Sequence, residues 1–509
     1  MTSAFRIRIE YAQLTGTSVL KVSTIDEPLN NVNVAEDNAR TWIADLLKLA
    51  YAQSQRQKKI RLLVNPASGS RKAVKSAQSI KPILTAARCQ VDEQETRYRN
   101  HAAEIAQNID VDTVDVIACC SGDGLPHEVF NGLAKREDAA EALRKVAVVQ
   151  IPCGTGNALS WNLNGTGSCS LAALAVIKGI RMPLDLVSVT QGNKRTISFL
   201  SQAVGIVAEV DLGTENVRWM GSARLTYGFL VRLLGKTIYP CEVAYQTAMS
   251  DKAGIRAHYE SVRSKSRQDQ ISRSMDAHGP PGDDQGSPQQ DLVTSEATDT
   301  RISAEQNYPG LPPLKYGTVS SPLPVGWNLV PHPTLGNFYA GNMPLMAEDS
   351  TFFSASLPSD GLLDVLTMDG NIGRRKAIAS FDATSNNTLF DLPYVNMRKV
   401  SAYRIVPKFG RWSSMADATY KHKENSSAAK EGKSKPQGGN NCSSTDYNVK
   451  AYEGPDNDRD KNGTPRKDGG FIAIDGEQYP FEPFQVEVHR GLGTVLSRTG
   501  YMYESRGPK

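Results

Sequence analysis

Three short runs rich in β-branched residues, IRLLV at 60–64, VDVIACC at 114–120 and VAVVQI at 146–151, constrain the fold of this chain more than any other feature. Each is apolar nearly throughout rather than alternating, as a strand covered on both faces requires. The gaps between them leave room for crossover helices, and helical patterns fill those gaps. KAVKSAQSIKPIL and HAAEIAQNI follow the first run, the latter with Asn100 as its candidate cap; LPHEVFNGLAKR follows the second and NALSWNL the third. Residues 60–183 therefore read as a doubly wound, Rossmann-like α/β domain with a parallel sheet.

Each run ends in a turn-forming motif: NPASGSRKA from 65, SGDG from 121 and PCGTGNA from 152. In open parallel sheets ligands collect at the carboxyl ends of the strands, where helix N-termini offer unpaired amides to an anion. A single glycine-bearing loop is often only a tight turn, but three at one sheet edge make a cradle for a polyphosphate. Neither GxxxxGK[ST] nor GxGxxG occurs, so the cradle is neither a P-loop nor a dinucleotide fingerprint. Asp123 stands between two glycines of the second turn. A carboxylate beside bound phosphates is repelled unless a metal or an acceptor hydroxyl intervenes. Its position therefore suits a metal contact through water, a base that orients an attacking alcohol, or a simple cap on the next helix. On that helix Leu125, Val129 and Leu133 form one stripe for packing, and Glu128 lies off it, toward the cradle. His127 has no nucleophile beside it to activate and reads as structural.

The remainder has a different rhythm. From residue 184 onward the apolar runs are short, punctuated by Gly and Pro, and several alternate, which predicts antiparallel β structure with one helical stretch at 222–236. Residues 252–322 and 411–468 are polar and almost free of large apolar side chains, so they read as disordered insertions, either inert spacers or sites for regulatory partners and phosphorylation. Residues 1–59 form an N-terminal extension in which TWIADLLKLAYAQ predicts an amphipathic helix packed on the protein. With 22% charged residues and a net charge of +4, nothing points to nucleic acid. The seven cysteines show no zinc or disulfide spacing. No signal core and no long apolar stretch is present, which predicts a cytosolic protein touching membranes reversibly.

The motifs SGDGLPHEVFNGL, NPASGSRKA, TRYRNHAAEIA and PCGTGNALS resemble those of the diacylglycerol kinase catalytic superfamily and, within it, of the sphingosine (long-chain-base) kinases. SGDG followed by HEV and NG distinguishes this group from the NAD kinases, which carry GGDGT. The likeness continues through VGIVAEVDLGTENVRWMGSARLTYG, FYAGNMPLMAEDSTFFSASLPSDGLLDVLTMDG and IDGEQYPFEPFQVEVH, and so covers both compact halves. It implies an antiparallel β-sandwich lipid-binding domain over 184–509, ATP as donor, assistance from Mg²⁺, a sphingoid base as acceptor, and peripheral membrane contact. In this resemblance Asp123 deprotonates the primary hydroxyl of the lipid. Asn65, Thr96, Ser121, Gly122, Gly124, Glu128, Gly154, Thr155 and Gly156 belong to the nucleotide site. Arg218 and Arg224 reach the phosphates, and Asp475, Gly476 and Glu477 close the site near the metal. Asp211 holds the amine and the neighbouring hydroxyl of the substrate. The first loop departs from the pattern, with Arg71 at a glycine position. Two rival readings remain: a kinase for diacylglycerol or ceramide, and a non-catalytic lipid-binding scaffold.

Overall fold

A computed structural model of the chain describes residues 6–28, 35–68, 72–205, 207–208, 238–276, 310–408 and 472–508. The chain opens with a hairpin, β1 (Arg6–Thr15) and β2 (Val19–Pro28), followed by α1 (Ala35–Tyr51). Next come β3 (Lys59–Val64), α2 (Ala73–Ala86), β4 (Gln90–Glu95), α3 (His101–Asn108), β5 (Val116–Ser121), α4 (Gly124–Ala134), α5 (Ala139–Lys145), β6 (Ala147–Pro152), α6 (Ala158–Asn164) and α7 (Cys169–Lys178). The four strands β6, β5, β3 and β4 pair in parallel in that order, as the apolar runs predict. The register aligns Val64 with Cys120, and Ser121 with Pro152. The three turn motifs therefore start level with one another, at one edge of the sheet.

The second half is antiparallel. It comprises β7 (Ile180–Gln191), β8 (Lys194–Ser198), β9 (Ser201–Gly205), β10 (Cys241–Met249), α8 (Lys252–Asp276), β11 (Asn328–His332), β12 (Leu335–Gly341), β13 (Leu345–Ala347), β14 (Ser350–Thr351), β15 (Leu363–Asp369), α9 (Arg374–Ser385), β16 (Asn396–Pro407), β17 (Ile472–Ile474), β18 (Glu477–Tyr479) and β19 (Phe484–Ser497). Strand β19 joins the halves. It pairs antiparallel with β7 and β16 and touches β6 in parallel at Val495 and Val148, so one large mixed sheet runs through the molecule. Two apolar clusters sandwich the parallel part, one including Phe130, Leu133 and Leu159, the other Ile80, Ile83 and Val176. The helices α3 and α4 cross so closely that a Cβ on Gly132 would fall 2.2 Å from the Ala103 carbonyl oxygen.

Three expectations change. The segment 252–322 is not wholly an unstructured insertion. Its first part is α8, whose Ile255 and Tyr259 are buried and whose Arg256 and His258 bond Asp391 at 2.7 Å and Asp360 at 3.1 Å. Apolar residues four apart suffice to dock a helix even when its mean hydropathy is low. Its last part, 310–322, is ordered by polar bonds: the amides of Lys315 and Tyr316 donate to the Glu487 carboxylate at 2.8 and 3.0 Å, and Arg404 donates to the carbonyls of Ser321 and Thr318. Residues 277–309 and 411–468 lie outside the described residues. Helix α1 forms where expected, yet Trp42, Ile43 and Leu49 are exposed rather than packed on the protein. The hairpin before it carries no strong apolar signal and docks through Leu20, whose amide donates to Ser170 Oγ at 2.9 Å. Among the described residues, no helix is long and apolar enough to cross a membrane.

Because Tyr259 is 2% exposed, Tyr259→Ala should destabilise the protein by about 3 kcal/mol through lost burial and the cavity left behind. The urea midpoint measures this, and an unchanged midpoint would restore the spacer reading for 252–276.

Candidate active site at the ends of three parallel strands

The second and third loops meet backbone to backbone. A Cβ on Gly154 would lie 2.4 Å from the Gly122 Cα, and one on Gly122 would lie 3.3 Å from the Gly154 Cα. Only glycine permits that approach. Ser68 ties in the first loop, accepting from the Gly122 amide at 3.2 Å and donating to the Cys153 carbonyl at 3.5 Å. Asn65 donates its amide to the Cys120 carbonyl and uses its side-chain oxygen to accept from Ala67. The third loop is closed by Asn157, in the left-handed region at φ +56°, which bonds both the amide and the carbonyl of Gly154 at 2.7 and 2.9 Å. Thr155 is exposed on this loop. Thr96 is buried beyond β4, its amide donating to the Val64 carbonyl at 2.8 Å, and the Ser121 hydroxyl donates to the Gly122 carbonyl at 2.7 Å.

Asp123 sits at the start of α4 but does not cap it. Its carboxylate reaches across to the next helix instead. Oδ2 accepts from the Ala158 amide and Oδ1 from the Leu159 amide, each at 3.0 Å, and Gln150 Nε2 donates to Oδ1 at 3.3 Å. Burial raises the Asp123 pKa, while these three donors pull it back toward the charged form. Gln150 is fully buried on β6 and is held in turn by the Ser160 amide, which donates to its Oε1 at 2.9 Å. Oδ2 lies on the side of Gly156, where a Cβ would stand 3.6 Å from Oδ2 and 3.0 Å from the Met346 carbonyl oxygen.

Two more acids are spent on protein donors. Glu128 accepts from the amides of Asn100 and Ala102 at 2.9 and 3.1 Å, capping α3 from a neighbouring helix. Asn100 precedes α3 as expected, but its side chain makes no cap bond. Burial raises the Glu128 pKa against those two amides. Asp475 and Gly476 form the two-residue turn between β17 and β18, with φ of +51° and +80°, the positive pair of a type I′ hairpin. The buried Asp475 carboxylate accepts from Ser198 Oγ at 2.6 Å, from the amides of Phe199, Leu200 and Ser201 at 3.1, 2.9 and 2.9 Å, and from His127 Nδ1 at 2.7 Å. His127 thus turns Nε2 toward Tyr479 OH, 3.3 Å away, and welds α4 to the second half. Glu477 is at the rim, bonded to Arg99 at 2.6 Å and close to Gly124.

The site therefore brings together Asn65, Ser121, Gly122, Asp123, Gly124, Gly154, Thr155, Gly156 and Glu477, while Glu128 and Asp475 hold the surrounding frame. Asp211, Arg218, Arg224 and Arg71 lie outside the described residues. Among the described residues no group of three or more His, Cys, Asp or Glu is arranged to hold a metal ion. Three partners escaped the sequence reading: Ser68, Gln150 and Asn157. Gln150 had a signal, as the lone polar residue within an apolar strand.

Residues 59–189 match the diacylglycerol kinase catalytic domain. Over 90% of its length the chain is 30% identical to sphingoid long chain base kinase 5 of Saccharomyces cerevisiae, and over 91% it is 29% identical to sphingoid long chain base kinase 4 of Schizosaccharomyces pombe. It spans 62% of the first relative and 80% of the second. Sphingosine kinase 1 of Arabidopsis thaliana is 28% identical over 74% of the chain and 69% of its own length.

Asp475→Ala would strand five donors that now share one carboxylate. Removing one partner from a buried charged network costs about 3–5 kcal/mol, so the ligand-free protein should unfold at markedly lower urea. If Asp475 served only a bound ligand, the ligand-free stability would not move.

Proposed function

We propose that the chain, whose residues 59–189 match the diacylglycerol kinase catalytic domain and which is similar over most of its length to sphingoid long chain base kinases, transfers the γ-phosphoryl group of ATP to the primary hydroxyl of a sphingoid base, giving the base 1-phosphate. One observation carries the reading. The Asp123 carboxylate is fixed where the glycine loops meet, and the carbonyl of Met346 stands against Gly156 of the third loop, next to it. Met346 packs against two apolar clusters, one in the α/β half and one holding Tyr339, Phe353 and Met397 in the antiparallel half. The polyphosphate would lie against the loops that Gly122, Gly154 and Gly156 bring into close contact. The alkyl chain would run past Met346 into the apolar cluster, making the second half the lipid-binding part.

Phosphoryl transfer needs mainly positioning and neutralisation of charge. In this proposal Asp123 orients the hydroxyl and takes its proton. Burial moves its pKa upward, toward the working range of a base, while the α6 amides and Gln150 favour its charged form. Mg²⁺, when bound, would neutralise phosphate charge. Arg218 and Arg224 would do so from the second half, and Asp211 would hold the ammonium group of the base. Peripheral contact with a membrane would deliver the lipid.

Asp123→Asn should lower turnover on sphingosine by about 10²- to 10⁴-fold with the fold intact, as loss of a general base does. Retention of more than half of turnover at saturating lipid would remove Asp123 from the chemistry. Gln150→Leu deletes a donor that favours the charged carboxylate. The Asp123 pKa should then rise further, moving the acid limb of the kcat profile to higher pH. A purely structural glutamine would lower stability without displacing that limb.

A further inference from the structure

Beneath the glycine loops lies a row of three free thiols that the proposed chemistry does not use. Cys120 is near the end of β5, Cys153 is the residue before Gly154 in the third loop, and Cys169 begins α7. The Cys120 and Cys153 sulfurs are 3.5 Å apart, and those of Cys153 and Cys169 are 3.9 Å apart. Access differs along the row: Cys120 is fully buried, Cys153 is 8% exposed and Cys169 is half-buried. Cys153 is also wired to the other loops. Its amide donates to the Ser121 carbonyl at 3.0 Å, and its carbonyl accepts from Ser68 Oγ at 3.5 Å.

We propose that Cys153 and Cys169 are a redox pair, closed to a disulfide by a hydroperoxide, and that closure pulls the third loop out of register with the second and switches off nucleotide binding. The effect on transfer rests on the kinase reading above; the disulfide itself does not. Cys169 is the first to react because it is the most accessible. Its thiolate sulfur attacks the terminal oxygen of ROOH, the O–O bond breaks, and ROH leaves with a proton, giving a sulfenic acid. The Cys153 sulfur then attacks that sulfur, the S–S bond forms, the S–O bond breaks, and the oxygen departs as water with the Cys153 proton. Two thiols and ROOH thus become one disulfide, ROH and water. A reducing thiol reverses it by exchange.

Bond formation requires the sulfurs to close from 3.9 Å to about 2.05 Å. Strand β5, which carries Cys120, is held by ladders to β3 and β6, whereas Cys153 lies in a loop and Cys169 at a helix start, so the movement falls on those two. The loop cannot absorb it locally, because Gly154 already touches Gly122 with no room for a Cβ. Hydrogen bonding with Cys120, together with burial, pushes the Cys153 thiol up to about 12, and contact with Cys153 and burial push Cys169 up as well. Both shifts disfavour the thiolate and slow its attack on peroxide.

The test uses the full chain, fully reduced, then held with excess hydrogen peroxide and quenched with N-ethylmaleimide. Non-reducing peptide mapping should find Cys153 joined to Cys169. The rise in Tm caused by ATP should vanish, transfer to sphingosine should fall at least about tenfold, and dithiothreitol should restore both. Cys169→Ser, with Cys169→Ala in reserve should serine unfold the helix start, should keep the ATP-dependent rise after peroxide. The proposal is overturned if no such cross-link forms, or if it forms and the ATP-dependent rise persists. Should the reduced protein show that rise yet phosphorylate no sphingosine, the kinase reading fails alone, and the cross-link and the Tm shift still decide the thiol pair.

Discussion

The bonds from the Asp123 carboxylate to the first two amides of α6 are the interaction on which the site depends. They join the second loop to the third, and Gln150 braces them from inside β6. Charge-assisted bonds of this kind contribute roughly 1.5–3 kcal/mol each and counter part of the desolvation of the carboxylate. They exist only because Gly122 and Gly154 let the two backbones touch. The interaction that assembles the loops is therefore also the one that favours the charged form of the acid and aims it.

The same device recurs around the site at longer range. Glu128 caps α3 from α4, and Asp475 gathers Ser198, three backbone amides and His127 into one knot. In both cases a carboxylate from one element satisfies donors that another element cannot. Asp475 reaches from the antiparallel half into α4 through His127, while β19 joins β7 to β6. The two halves thus share both a sheet and a polar core, which positions the apolar cluster around Tyr339 against the loops through Met346.

Much of this was legible in the sequence wherever local pattern and tertiary burial agree. The runs 60–64, 114–120 and 146–151 are strands buried on both faces, and their apolar character announced a parallel sheet. Asp123 stood out because glycine on both sides signals close backbone approach. What escaped depends on partners distant in sequence. Nothing near Glu128 shows that its oxygens meet the amides of Asn100 and Ala102. The segment 310–322 looked unable to fold because much of its order comes from polar partners, Glu487, Gln485 and Arg404, with only Leu311 and Tyr316 packed against apolar neighbours. In α8 two buried residues, Ile255 and Tyr259, were diluted by charged neighbours. The exposed Trp42 and Leu49 of α1 show the converse, an amphipathic pattern whose apolar face the described residues do not cover.

The central claim is that this loop cradle moves phosphate onto a sphingoid base. Its most direct measurement gives the purified protein γ-labelled ATP with sphingosine, ceramide and diacylglycerol in parallel and identifies the labelled product. The account predicts label on the primary hydroxyl of sphingosine and little on the other two lipids. Label accumulating on ceramide or diacylglycerol instead, or on no lipid while ATP still raises the Tm, would contradict it.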